Sequence, residues 1–211
     1  MLKVDRQSYW GPFATHFPAL ARYMEPGHRT ACVLGASDGK FAIPLAKADF
    51  DVTGVDLDEV FLFGGRVSTA DGPLEVKGLA ARLAEEGLEG RCRIVVCDYM
   101  EWETSETFDV VVTSGSWSMP ENARHRLRAL VARAQDLTAP GGLLFADYLA
   151  ELPGEQTGEH YPPIERVRGF FSEGWEVLEN ADLGLREERH YDKPELHHHR
   201  FAAVIARKAR A

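Results

Sequence analysis

Short apolar runs recur along this chain, each cut off by glycine, proline or a carboxylate rather than by a long polar tract. Thr30 to Leu34 (TACVL), Asp51 to Asp56 (DVTGVD), Cys92 to Cys97 (CRIVVC), Phe108 to Thr113 (FDVVVT) and Leu143 to Ala146 all have strand length. Their β-branched content and flanking turn residues predict strands. Helical patterns fall between them. Phe41, Leu45 and Ala46 mark one face of a short helix despite Pro44, Val76 to Glu86 reads as a helix stopped by Gly87, and Glu121 to Leu137 as a longer one closed by Pro140-Gly141-Gly142. Strands that alternate with helices, and that are apolar on both sides, predict a parallel sheet covered on both faces.

The two ends depart from this rhythm. Phe13, Phe17 and Leu20 lie at helical spacing, which predicts an N-terminal helical cap over residues 1–29 that Pro26-Gly27 ends. Trp175 to Leu183 and Phe201 to Arg207 predict two strands without a crossover helix, hence an antiparallel pair at one sheet edge. The expected architecture is one α/β domain over residues 1–211. It is a Rossmann-like, seven-stranded, mostly parallel sheet with helices on both faces and a C-terminal antiparallel strand pair. Residues 60–74 interrupt the alternation, and their glycines and aromatics suit either a lid over a site or a surface loop.

Composition narrows the partners. With 33 acidic against 24 basic residues the formal charge is −9, which argues against nucleic acid. Cys32, Cys92 and Cys97 have no paired spacing, so neither a disulfide framework nor a zinc site is expected, and reduced thiols suit a cytoplasmic protein. No signal-peptide pattern and no apolar run of membrane-spanning length is seen.

In open parallel sheets, ligands bind beyond the carboxyl ends of the strands. The turn Gly35-Ala36-Ser37-Asp38-Gly39 follows the first strand, and Asp56 ends the second, 21 residues beyond Gly35. Glycines there allow close backbone approach, and a carboxylate at that spacing accepts ribose hydroxyl protons. Together they predict a nucleoside site that takes in Gly35, Ala36, Ser37, Asp38, Gly39, Asp56 and Leu57. Asp38 stands where a pyrophosphate would be repelled, so the pattern favours a phosphate-free nucleoside with a cationic sulfonium, S-adenosylmethionine, over a dinucleotide.

The run Ala31 to Phe41 followed by Asp51 to Asp56 resembles the first motifs of class I S-adenosylmethionine-dependent methyltransferases. Asp98-Tyr99, Phe108 to Val112 and Pro140-Gly141-Gly142 resemble the later ones in the right order, and the C-terminal part is similar to the tellurite-resistance branch. The resemblance implies S-adenosylmethionine as cofactor and a small-molecule acceptor. It implies that Asp98 accepts from the adenine amino group, that Tyr99 packs on the ring, and that Ser114 and Trp117 wall the site. Tyr9 and Trp10 would fold over the cofactor. The family usually has an acid where Val33 stands and a glycine where Ser37 stands. That acid helps hold the cofactor ammonium, and Asp38 is expected to substitute for it.

For an acceptor that must lose a proton, His125, His160, His190, Asp147 and Tyr148 are candidate bases. His160-Tyr161, in the loop after the fifth strand, is the first choice for catalysis, with Tyr148 beside the acceptor. His197-His198-His199 is not expected to chelate one ion, because three consecutive strand residues alternate faces. A non-catalytic nucleoside sensor and, less favoured, a nucleotide-dependent oxidoreductase remain as alternatives.

Overall fold

The computed structural model describes residues 2–69, 72–154, 158–190 and 193–210. Five parallel strands form the body of the sheet: β1 (Thr30–Leu34), β2 (Asp51–Asp56), β5 (Cys92–Val96), β6 (Phe108–Ser114) and β7 (Thr138–Ala150). A hairpin of β8 (Trp175–His190) and β9 (Lys193–Lys208) closes one edge, giving the order β5-β2-β1-β6-β7-β9-β8. The antiparallel edge pair thus forms as expected, and each of its strands runs longer than the apolar runs that announced them. Strand order reverses between β1 and β6. β1 and β6 are buried almost throughout, whereas β5, at the edge, is only half covered.

Two apolar layers sandwich the sheet. One joins Val33, Phe41, Leu45 and Phe145 to the N-terminal Phe17 and Leu20, beside α1 (Ala42–Lys47) and α3 (Leu79–Glu85). The other joins Cys32, Val111, Leu144 and Trp117 to α4 (Leu127–Leu137) and α5 (Ile164–Arg168). No helix among the described residues is long and apolar enough to cross a membrane.

Three elements differ from the sequence expectation. The N-terminal cap is built of 3₁₀ turns at Gly11–Phe13 and Phe17–Arg22, not an α-helix. Pro12 and Pro18 open those turns, and each removes an amide donor that a longer helix would need. The helix expected over residues 76–86 starts only at Leu79, because Gly78 (φ +77°) enters it in a left-handed conformation. Residues 60–74 form α2 (Glu59–Phe63) and most of an antiparallel hairpin, β3 (Gly65–Thr69) with β4 (Gly72–Val76).

Asp109 pins the start of β1 to β6. Its Oδ2 accepts from the amides of Arg29 (2.7 Å) and Thr30 (2.9 Å) and from the Thr30 hydroxyl (3.0 Å). Partial burial acts to raise its pKa, but these donors win and hold the carboxyl below its usual value. A depressed folded-state pKa contributes stability that is present above the unfolded value and is lost as pH falls through the folded one. Asp109→Asn should therefore lower unfolding free energy by about 1–2 kcal/mol at neutral pH. It should also flatten the acid limb of stability below pH 4, read from urea midpoints; an unchanged acid limb would refute this role.

Candidate functional site

The turn after β1 is shaped by its backbone bonds. Gly35 and Ala36 donate their amides to the Val55 carbonyl, and the Ser37 amide donates to Asp56 Oδ2 at 2.6 Å. Ser37 sits at φ +48°, so the residue that replaces the family's glycine keeps the left-handed backbone a glycine would favour. Gly39 has φ +95°, and a Cβ there would lie 2.6 Å from Leu79 Cδ1, so the turn packs against α3 only with glycine. Asp56 Oδ1 also accepts from the Asp58 amide at 2.9 Å. Burial raises the Asp56 pKa, against the pull of those amides.

A cavity of about 600 Å³ opens between β1 and β6, at the carboxyl ends of the parallel strands. That is the switch point where such sheets bind ligands. Of the residues singled out in the sequence, Gly35, Ser37, Asp56, Leu57, Tyr99, Ser114 and Trp10 line it. Lys40, Phe13, Phe61, Cys97, Asp147, Leu149, Glu188, His199 and Phe201 line it as well. A shallower depression at Trp175, Arg207 and Arg210 lies beyond the opposite strand ends, where β7 begins.

At the cavity floor Lys40, buried, donates from Nζ to Ser114 Oγ at 2.7 Å. Burial lowers its pKa, opposed by Asp147 and Asp38. Burial raises that of Asp147, opposed by Lys40 and Ser114. Burial pushes the Tyr99 hydroxyl up to about 12. Ser37 Oγ and Asp147 Oδ2 are buried without a hydrogen-bond partner among the described residues. Polar atoms in that state cost free energy unless a ligand or water answers them. Nothing local singled out Lys40, since a buried lysine after a glycine turn has no sequence signature. Asp147 was legible only as a strand-end carboxylate.

Several expected residues are placed elsewhere. Asp38 does not face the cavity. Its Oδ1 accepts from Ser8 Oγ and its Oδ2 from the Tyr9 amide, both at 2.6 Å, and Arg82 binds its backbone carbonyl. The carboxylate therefore anchors the N-terminal segment, and Asp147 is a carboxylate that lines the cavity together with Gly35 and Ser37. Ala36, Gly39 and Tyr9 support the site from behind; Tyr9 packs on Trp10 and Phe61, which line the cavity. Asp98 accepts from the Met100 amide at 2.8 Å and pairs with Arg124, while its neighbours Cys97 and Tyr99 take the cavity wall.

Trp117 (2% exposed) and Tyr148 (1%) pack together in the core at 5.4 Å, away from the cavity. Side chains alternate along β7, so Asp147 and Leu149 face the cavity and Tyr148 the opposite layer. His160 and Tyr161 do not line the cavity either. The Glu151 amide donates to the Pro162 carbonyl, which folds that loop back on the strand end. His125 lies 3.9 Å from Asp98, outside the cavity, and the side chain of His190 is outside the described residues.

Neither a protein-family model nor a curated protein sequence matches the chain. Solved structures do. TehB from Haemophilus influenzae superposes with TM-score 0.68 at 16% identity, covering 96% of this chain, which spans only 64% of the TehB chain. The glycopeptide N-methyltransferase MtfA complexed with S-adenosyl-L-methionine gives TM-score 0.57 at 16% identity, over 92% of this chain and 86% of that one. The [4+2]-cyclase SpnF gives 0.65 at 16%, over 100% and 86%. Identities this low speak for fold, and a cyclase among them shows that the fold does not fix the reaction. The chain has the Rossmann-like fold of the class I S-adenosylmethionine-dependent methyltransferases.

Proposed function

We propose that the chain is an S-adenosylmethionine-dependent methyltransferase that acts on a small-molecule acceptor. One observation carries the choice of cofactor. Among the described residues the switch-point cavity is lined by six carboxylates, Asp56, Asp58, Glu59, Glu121, Asp147 and Glu188, against a single lysine. Such a wall repels a pyrophosphate and attracts a sulfonium with an α-ammonium.

The residues present fit the cofactor. Asp56 has lone pairs left on both oxygens after its two amide bonds and would accept from the ribose hydroxyls. Tyr99 and Leu57 would flank the adenine. The orphaned Asp147 oxygen would take the α-ammonium, and Lys40 the α-carboxylate, which gives Val33's missing acid a replacement on another strand. Trp10, Phe13 and Phe61 form an apolar wall that would exclude water from the transfer region. Bound S-adenosylmethionine supplies a strongly electrophilic methyl group, so positioning an acceptor in line does much of the work. A cavity of about 600 Å³ holds the cofactor and leaves room only for a compact acceptor, and its acidic lining disfavours RNA.

Titration calorimetry with S-adenosylmethionine, S-adenosylhomocysteine and NADH tests the cofactor. Heat is expected with the two sulfur ligands and none with NADH; no heat with either sulfur ligand would overturn the reading. Transfer of labelled methyl groups into a metabolite extract then tests catalysis. Absence of any labelled product, with the cofactor bound, would leave a nucleoside-binding protein and defeat the methyltransferase reading.

A further inference from the structure

The far half of the β8–β9 hairpin carries a histidine pair that the cofactor reading does not use. The three consecutive histidines do alternate, as strand geometry demands. His198 lies 3.3 Å from Glu187, which is its cross-strand partner. His197 and His199, two residues apart, share the other face with their rings edge-on at 4.7 Å. Glu188 stands opposite His197 in the ladder, and its carboxylate is 3.5 Å from His199 Nε2. One ligand atom from each of Glu188, His197 and His199 lies within 4.8 Å of the others.

We propose that Glu188, His197 and His199 bind a divalent first-row transition ion at the edge of the switch-point cavity. Two imidazoles and one carboxylate are a borderline donor set that suits zinc, manganese, iron or cobalt rather than magnesium or calcium. His197 Nδ1 is 2.7 Å from the Glu195 carbonyl oxygen, which can only accept, so a neutral imidazole donating there carries its lone pair on Nε2. A backbone carbonyl behind a ligating imidazole is the usual outer-shell support. His199 and Glu188 are themselves only 12% and 11% exposed, and both line the cavity. An ion held by three protein ligands would keep positions for water or an oxygen donor, and Glu188 and His199 share the cavity lining with Leu149 and Phe201. The ligand class the site would take is a small molecule with a hydroxyl, enol or carboxylate oxygen. That last step rests on the proposed acceptor side of the cavity; ion binding itself does not.

The test is a titration of the metal-free protein with Co²⁺, read by its visible absorption, in competition with Zn²⁺, and paired with calorimetry of S-adenosylhomocysteine. One equivalent of Co²⁺ should saturate the site and be displaced by Zn²⁺. His197→Ala, His199→Ala and the isosteric Glu188→Gln should each weaken Co²⁺ binding at least tenfold, while His198→Ala leaves Co²⁺ affinity unchanged and His197→Ala, outside the cavity lining, leaves S-adenosylhomocysteine bound. Absence of saturable binding, or binding that survives His197→Ala and Glu188→Gln, would refute the metal site. Co²⁺ binding without S-adenosylhomocysteine binding would keep the metal site and overturn the cofactor reading instead.

Discussion

Arg82→Ala should lower the free energy of unfolding by about 3–5 kcal/mol, the cost of leaving buried charge without its partner. Arg82 is 5% exposed on α3 and its guanidinium reaches two N-terminal anchors. Nη2 pairs with Asp5, and Nη1 donates to the Asp38 carbonyl, 3.6 Å from the Asp38 carboxylate. Asp38 in turn holds Ser8 and Tyr9. Removing the guanidinium takes from the Asp5 and Asp38 carboxylates the cation they share. The N-terminal segment that brings Trp10 and Phe13 to the cavity loses its clamp. Urea unfolding gives the magnitude, and limited proteolysis should find new cleavage before residue 14. A loss under about 1 kcal/mol would mean that water replaces the guanidinium at no great cost, contrary to the burial seen.

Asp56→Ala should weaken S-adenosylmethionine binding by about 1.5–3 kcal/mol, the range for hydrogen bonds to a charged group. That corresponds to roughly ten- to over a hundredfold in Kd. The same residue predicts a pH dependence. Burial raises the Asp56 pKa, and only the ionised carboxylate accepts from both ribose hydroxyls, so affinity should fall as pH drops through a value above the usual 3.8. Stability moves the other way. A raised carboxylate pKa penalises the folded state at neutral pH, and the penalty is relieved as pH falls from the folded pKa towards the unfolded one. Asp56→Asn should therefore bind cofactor more weakly than the parent at pH 7, with little pH dependence left from this group. Calorimetry across pH 4–8 measures both. Equal affinity of Asp56→Ala and parent would remove Asp56 from the ribose.

The β8–β9 hairpin explains why part of the site was hidden. The sequence contains the His197-His198-His199 run in plain view, and alternation puts His197 and His199 on one face and His198 on the other. The pairing that brings Glu188 opposite His197 follows two register shifts along β8, between Val177 and Glu179 and between Asp182 and Gly184, whose number and direction local composition does not fix. His160 and Tyr161 were favoured for their place after the fifth strand. The Glu151 amide bonds the Pro162 carbonyl, and neither His160 nor Tyr161 lines the cavity.

By itself, the sequence determined the layered α/β architecture, the antiparallel edge and the placing of the Gly35 turn and Asp56 at the strand-end cavity. Each rests on short-range information: runs apolar on both faces, a glycine turn at Gly35 to Gly39, and a carboxylate at a fixed distance on the next strand. Tertiary structure alone decided which way each side chain at the strand ends points. Asp38 turned to the N-terminal segment, Trp117 and Tyr148 to the core, and Lys40, Asp147, Glu188 and His199 to the cavity. Those choices follow from burial and from partners tens of residues away, such as Arg82 for Asp38 and Ser114 for Lys40. A residue's orientation is settled by the contacts it must satisfy once the sheet has closed, and those contacts are not written beside it in the chain.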